Sequence, residues 1–355
     1  MAVAPGRLNV IGEHTDYNQG FVLPAAIDRF VAVAYRPRRD SEIVLKSDLY
    51  PAAVRLARLP DKKTGSWADY VIGVARQIDA RFGLENGFDA ALVSNLPAGS
   101  GLSSSGALEV AFAAACLGAQ GFVISAIELA RLCQRAENEF VGAHTGIMDQ
   151  LTALVARAGN ALLVDCRSLE HEDVPLPDGR HRWLLADTRV RHDLASSAYN
   201  ERRGQCEQAA AALGLSSLRD ATEQDLDRIA DPLIQRRARH VVTENKRVLM
   251  AADALRRRDA PALGPLLYAS HLSLQRDFEV SCPELDTLVE LCQEDRRVVG
   301  ARMMGGGFGG CVLVLLESAG LEDVEQQLQM GYTGRFRRPA EFYRTRSVDG
   351  TMPAT

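Results

Sequence analysis

Three stretches of the chain gather residue types whose spacing could do chemistry. The first is Gly99-Ser100-Gly101-Leu102-Ser103-Ser104-Ser105-Gly106, set between a strand-like segment, residues 90–93, and an Ala-rich helical segment from Ala107. Short residues there let backbone N–H groups approach an anion, and a helix N-terminus favours negative charge. Ser103, Ser104 and Ser105 add donors to phosphate oxygens and one possible ligand for a phosphate-bound Mg2+. A Gly/Ser turn alone is more often a helix cap, but this run is longer than a cap requires.

The second stretch, Pro5-Gly6-Arg7-Leu8-Asn9-Val10-Ile11-Gly12-Glu13-His14-Thr15-Asp16-Tyr17-Asn18, crowds acids, a histidine and an amide onto one loop in a β-rich context. Such a mixture suits a polyhydroxylated ligand, because carboxylates accept hydrogen bonds from hydroxyls that an apolar pocket could not distinguish. A solvated turn with an Asx cap is the plainer alternative. The third, Ala301-Arg302-Met303-Met304-Gly305-Gly306-Gly307-Phe308-Gly309-Gly310-Cys311, runs into a strand-like segment at residues 312–316. Gly305, Gly307 and Gly310 form a formal GxGxxG, yet a strand follows where a dinucleotide fold needs a helix.

Two acids stand apart from these runs. Ser125 and Glu128 have capping-box spacing, and the apolar stripe of the helix they open runs through Ala126, Ala130, Cys133 and Phe140 with Glu137 interposed. A carboxylate on a buried stripe calls for a partner. Asp149 falls in the first turn of a helix expected after Gly146; as a complement to the helix dipole it would contribute at most about 1 kcal/mol.

Other nucleotide folds do not fit. There is no Gly-Lys pair for a P-loop, and only four lysines, Lys46, Lys62, Lys63 and Lys246, none in a glycine-rich run. Arg191-His192-Asp193-Leu194 is a scrambled echo of a protein-kinase catalytic loop without its spaced Asn.

The elements that must position these residues read as follows. Residues 8–11, 21–23 and 29–35 are strand-like. Tyr70, Val71, Val74, Ala75 and Ile78 trace one helix face ending near Gly83, and residues 161–164 read as a strand. Helical patterns recur at residues 201–212, 240–257 and 284–292, with a soft lobe boundary between about 170 and 185. At 355 residues, 46% hydrophobic and 25% charged, the chain is ordinary for a globular protein of two lobes around a cleft.

No apolar run approaches the roughly 18 residues of a membrane span, and the N-terminus lacks the parts of a secretory signal, so a cytoplasmic setting is expected. Seven scattered cysteines without a CxxC pair point to a reduced compartment. A net charge of −5 argues against a nucleic-acid partner, and Arg256-Arg257-Arg258 reads as a solvated helix face.

Residues 6–20, taken with residues 96–107 and 300–311 in that order, resemble the signature and the two further motifs of the galactokinase family within the GHMP kinase superfamily. Further agreement at residues 67–74, 137–165, 191–207 and 239–291 extends the resemblance over nearly the whole chain. The fold it implies is α+β and two-lobed, the cleft between the lobes holding the site. A mixed-sheet N-terminal lobe would span residues 1–175 and a ferredoxin-like C-terminal lobe residues 176–355. It implies transfer of the γ-phosphoryl group of MgATP to the anomeric hydroxyl of D-galactose, with small-molecule substrates only and a monomeric state.

Residue by residue, the resemblance makes Asp149 the catalytic base with Arg7 beside it. Glu13, His14, Thr15, Asp16, Gly146 and Tyr199 become sugar-binding residues together with Asp149, and Ser105 and Glu137 the Mg2+ ligands. The run from Gly99 through Ser100, Gly101, Leu102, Ser103 and Ser104 to Ser105 becomes the ATP phosphate loop, with Trp67 and Tyr70 near adenine. With no loop lysine, phosphate charge must be met by Mg2+, backbone N–H groups and arginine. Two rivals remain: a related kinase of N-acetylgalactosamine or galacturonate, and a non-catalytic galactose sensor. Glu13 would repel a C6 carboxylate, and residues 105–109 lack the deletion a sensor can carry. Set against the family, the signature stands close to the start of the chain and Gly106 replaces a usual alanine. Both departures are expected to lower stability, the second by about 0.5–1 kcal/mol.

Overall fold

The structure is a computed structural model that describes residues 1–97, 99–177, 179–191 and 195–351. Ala98 of the phosphate run and His192, Asp193 and Leu194 of the kinase-like echo lie outside the described residues.

The first lobe begins with β1 (Ala2–Asn9), whose last residues lead directly into the acidic loop. After β2 (Phe21–Val22), the long β3 (Pro24–Pro37) returns antiparallel to β1, followed by the hairpin β4 (Ile43–Ser47) and β5 (Tyr50–Leu56). Helix α1 (Ala68–Phe82) ends on Gly83 at positive φ, where the expected stop lies. Strand β6 (Phe88–Ser94) pairs antiparallel with β3 and parallel with β4, so the five-stranded sheet, ordered β1-β3-β6-β4-β5, is mixed. Helix α2 (Ser104–Gln120) starts three residues before the position its apolar spacing suggested, because the serines themselves form its first turn.

Helix α3 (Ala126–Arg135) opens with the expected reciprocal capping box between Ser125 and Glu128. It then passes into a π-helical segment, Ala136–Val141. The added residue per turn breaks the α-helical stripe at Glu137, and such π-segments are often found at functional sites. Helix α4 (Met148–Val155) carries Asp149 in its first turn. Strands β7 (Asn160–Asp165) and β8 (His171–Pro175) complete with β2 a separate three-stranded sheet that sequence reading did not foresee.

The second lobe contains β9 (His181–Asp187), α5 (Ala195–Leu213), α6 (Pro232–Arg256), α7 (Ala260–Arg276) and α8 (Pro283–Glu294). It closes with β10 (Val298–Met303), β11 (Cys311–Glu317), α9 (Leu321–Phe336) and β12 (Glu341–Thr345). Its all-antiparallel sheet has the order β10-β11-β9-β12. With helices between β9 and β10 and between β11 and β12, this is the ferredoxin-like arrangement expected for this lobe. Helices α7 and α9 escaped the sequence reading for identifiable reasons: α7 carries Pro265 inside it, and α9 buries only Val324, Leu328 and Tyr332 along a narrow stripe.

Strand β11 explains how the lobes adhere. Cys311, Leu313 and Leu315 join the apolar cluster of the first lobe, while Val312, Val314 and Leu316 join a second cluster with α5, α8 and α9. A strand buried on both faces reads as an unbroken apolar run, which is how residues 312–316 look in the sequence. The chain after β12 returns to the first lobe, where Ser347 bridges Ile27 and the Val348 N–H donates to Ala26 O at 3.0 Å.

Helix α7 lies close enough on β10 that a Cβ at Gly264 would stand 2.0 Å from the Val299 carbonyl oxygen. Gly264→Ala is therefore expected to destabilise by about 1–3 kcal/mol or more through overpacking, against the roughly 1 kcal/mol by which helix propensity favours alanine. A lower urea midpoint at unchanged slope checks this; a higher midpoint would refute the close approach.

Candidate active site

The cleft between the lobes holds a cavity of about 470 Å³, of ordinary size for small-molecule substrates. It brings together most of the residues singled out by sequence: Arg7, Glu13, His14, Asp16, Trp67, Tyr70, Gly99, Gly101, Leu102, Ser103, Ser104, Ser105, Gly146, Asp149 and Tyr199 all line it. Thr15, Ser100 and Glu137 do not.

At the centre, Arg7 Nη2 stands 2.9 Å from Asp149 Oδ1, an ion pair whose arginine is almost wholly buried. Arg7 leaves β1 at a register shift between Pro5 and Arg7, and its Nη1 donates to Gly101 O at 2.5 Å. One guanidinium thus ties the acid at the start of α4 to the glycine-rich loop before α2. A Cβ at Gly106 would lie 3.0 Å from Asp149 Cβ and 2.8 Å from Ser103 Oγ. The glycine that weakens the start of α2 therefore makes room for Asp149.

The loop itself is shaped for an anion. Gly99, Gly101 and Ser103 all have positive φ, and no side chain caps the first turn of α2 although Ser103 occupies the N-cap position. Ser103 Oγ is buried without a hydrogen-bond partner. Ser100 faces away, its hydroxyl donating to Pro97 O at 2.7 Å. Tyr50, which no motif had marked, stacks on Trp67 at 5.6 Å between ring centroids and also lines the cavity.

On the loop between β1 and β2, His14 sits at φ +64° with its Nδ1 2.9 Å from the Tyr17 hydroxyl. Burial, aided by His240, pushes its pKa down to about 3, so the imidazole is neutral. Gly146 packs so tightly on Asp16 that a Cβ would meet Asp16 Oδ2 at 2.0 Å. Thr15 is an internal strut, its hydroxyl 2.7 Å from Gly12 O and 2.6 Å from Phe21 O. Glu13 lines the cavity and is held by three protein donors, Gly305 N–H to Oε1 at 3.0 Å, and Asn9 Nδ2 at 2.9 Å and Arg302 Nη2 to Oε2, which leaves Oε1 a lone pair for a ligand hydroxyl.

Glu137 lies just behind the cavity wall. Its Oε2 accepts from Thr145 Oγ1 at 2.7 Å and Gln150 Nε2 at 2.9 Å, and Ser105 also hydrogen-bonds its carboxylate. Burial pushes its pKa up to about 7. The same Gln150 nitrogen reaches Glu109 Oε2 at 2.9 Å, a wholly buried acid whose pKa burial and Glu137 drive well up. A hydroxyl and a desolvated carboxylate are hard oxygen donors that a divalent cation would favour, so Ser105 and Glu137 fit Mg2+. Among the described residues no three His, Cys, Asp or Glu side chains cluster to hold an ion. An ion there would take its other ligands from phosphate and water.

The residues missed by sequence reading, Tyr50, Gln150, Thr145 and Arg302, reach the site through pairing across elements. Only Arg302 left a signal, a charge inside an otherwise apolar strand.

Known proteins match the chain over nearly its whole length. "Galactokinase galactose-binding signature" describes residues 1–37, "GHMP kinases N terminal domain" residues 69–157 and "GHMP kinases C terminal" residues 251–332. A curated galactokinase of Thermotoga neapolitana is 41% identical, with 98% of each chain covered. The chain belongs to the galactokinase family. The human galactokinase is 44% identical over 98% of this chain and 90% of its own. The galactokinase of Lactococcus lactis, solved with galactose bound, superposes with a TM-score of 0.95 at 32% identity, covering 99% of this chain and 94% of that one. The Methanococcus jannaschii mevalonate kinase shares the fold alone, at TM-score 0.70 and 17% identity over 98% of both chains. As a galactokinase the chain is an ATP-dependent sugar kinase.

Asp16 supplies a test of the site's electrostatics. Burial first, then the charge of Asp149, pushes its pKa up to about 6. The folded protein therefore keeps a proton that the unfolded chain has lost, and stability falls as pH rises from about 4 to about 6. In Asp16→Asn that part of the slope should disappear. Denaturant midpoints of the ligand-free protein between pH 4 and 8 measure it; equal slopes in both proteins would refute it.

Proposed function

We propose that Asp149 removes the proton from the anomeric C1 hydroxyl of D-galactose as that oxygen attacks the γ-phosphorus of ATP. The bond to the β,γ-bridging oxygen breaks, releasing ADP and galactose 1-phosphate. The observation that carries this reading is the Arg7–Asp149 pair at 2.9 Å, held where the acidic loop meets the glycine-rich loop. In a loose phosphoryl-transfer transition state the protein mainly positions groups and offsets charge. Arg7 orients Asp149 and faces the charge that develops on the transferred group.

Glu13, His14, Asp16, Gly146 and Tyr199 would bind the sugar hydroxyls, with Thr15 shaping their loop. Residues 99–105 would hold the ATP phosphates, and Trp67 and Tyr70 the adenine, with Tyr50 extending the aromatic face. Mg2+, held by Ser105 and Glu137, would supply charge neutralisation for the phosphates. The lobes, residues 1–175 and 176–355, would contribute the acceptor and phosphate loops from one side and the third glycine run from the other. The reading includes a monomeric cytoplasmic enzyme; no helix among the described residues is long and apolar enough to cross a membrane.

The test is Mg2+-dependent ADP release against galactose, glucose, N-acetylgalactosamine and galacturonate, for wild type and Asp149→Asn. Turnover should be fastest with galactose and fall by about 10²–10⁴ in the variant, with galactose binding kept. Binding of galactose without turnover in the wild type would sink the kinase chemistry, and preference for another sugar would sink the substrate.

A further inference from the structure

Arg302 is fully buried on β10 and belongs to none of the substrate-binding sets above. Its Nη1 donates to Asn9 O at 3.1 Å and Val10 O at 3.4 Å, and its Nη2 to Glu13 Oε2. Asn9 Nδ2 holds the same oxygen at 2.9 Å, and Glu13 Oε1 takes the Gly305 N–H at 3.0 Å. A single carboxylate on the sugar loop is thereby bonded to three segments: the end of β1, a strand of the other lobe, and the first residue of the third glycine run.

The path continues toward the nucleotide. A Cβ at Gly305 would stand 3.1 Å from Gly101 Cα and 3.2 Å from its carbonyl oxygen, and one at Gly310 would stand 2.9 Å from Ser100 O. The glycine run therefore rests backbone to backbone on the phosphate loop. On the other side of Glu13, His14 and Asp16 follow within three residues and line the cavity. The sugar loop is thus joined to Gly101 by one hydrogen bond and one backbone contact.

We infer that Arg302 is a positioning residue that couples the two substrate halves of the cleft, by fixing Glu13 between the sugar loop and the glycine run that rests on the phosphate loop. This rests on the function proposed above. A buried ion pair is a poor device for stability alone, since apolar residues of similar volume often do as well. Here its value lies in geometry. Sugar contacts that order His14 and Asp16 also order Glu13, and through it Gly305 and Gly101. ATP then meets a phosphate loop whose ordering cost has already been met, which is positive cooperativity between ligands.

The experiment is calorimetric titration of a non-hydrolysable ATP analogue with Mg2+, with and without saturating galactose, and the reciprocal titration. In the wild type each ligand should tighten the other by the same factor, about fivefold or more. In Arg302→Met that factor should fall to about one while each ligand alone still binds within a few-fold, and Arg302→Lys should recover part of it. A merely structural arginine would lower stability and leave the factor unchanged. Hydrogen exchange of the wild type needs no variant and decides the matter if Arg302→Met does not fold. Galactose alone should slow exchange at Gly305 and at residues 100–102. A coupling factor of one in the wild type, retention of coupling in the folded variants, or no change in exchange at those amides overturns the inference and leaves the proposed function standing. Failure of galactose to bind at all overturns the proposed function itself.

Discussion

Two glycine-rich turns, contributed by different lobes, touch backbone to backbone, and the working parts of this molecule depend on that contact. Gly101 and Gly305 approach until a single added methyl group on Gly305 would be in tight contact with the facing main chain. Because no side chain separates them, backbone N–H groups and helix α2 can define a phosphate-sized space without a lysine in the loop. The loop holds no lysine, and Arg7 reaches the Gly101 carbonyl and Asp149 at once. Asp149 can take its place because Gly106 leaves space beside it, and Asp16 because Gly146 does. The glycines of this chain thus act as absences of bulk that set where the charged groups stand.

The acids behind the cavity obey a related constraint. Glu137 and Glu109 are buried, so each must find hydrogen-bond donors or remain protonated. Gln150, next to Asp149 in sequence, serves both with one amide nitrogen, and the π-helical segment aims Glu137 toward Thr145 and Ser105. One turn of α4 therefore carries both Asp149 and the arm that orients a carboxylate behind it.

Much of this was legible in the sequence where local rules act alone. The capping box at Ser125, the stop at Gly83, the doubly buried run at residues 312–316 and the glycine loop all follow from pattern and backbone sterics. Resemblance to a family supplied roles for Asp149, Arg7 and Tyr199, of which pattern alone left the first two as a helix-start acid and a turn arginine and did not mark the third. What stayed hidden depends on pairing between distant segments. Tyr50 reaches Trp67 only because of how the β4–β5 hairpin folds over, and nothing in the sequence pairs Glu13 with Arg302, 289 positions away, which holds its carboxylate. Helix α7 was missed because Pro265 signals a break that tertiary packing overrides.

The return of the chain after β12 has a consequence for biosynthesis. The Thr351 hydroxyl donates to the Val3 carbonyl across 348 positions, and Ser347 pairs with Ile27 on the long strand of the first sheet. A ribosome delivers residues in order, so the first sheet must wait, with that face uncovered, until nearly all of the second lobe has emerged. The β9 strand waits as well for β11 and β12, its partners across a long insertion of helices. The nascent protein therefore spends most of its synthesis without a cleft, and acquires one only as its late segments seal both sheets.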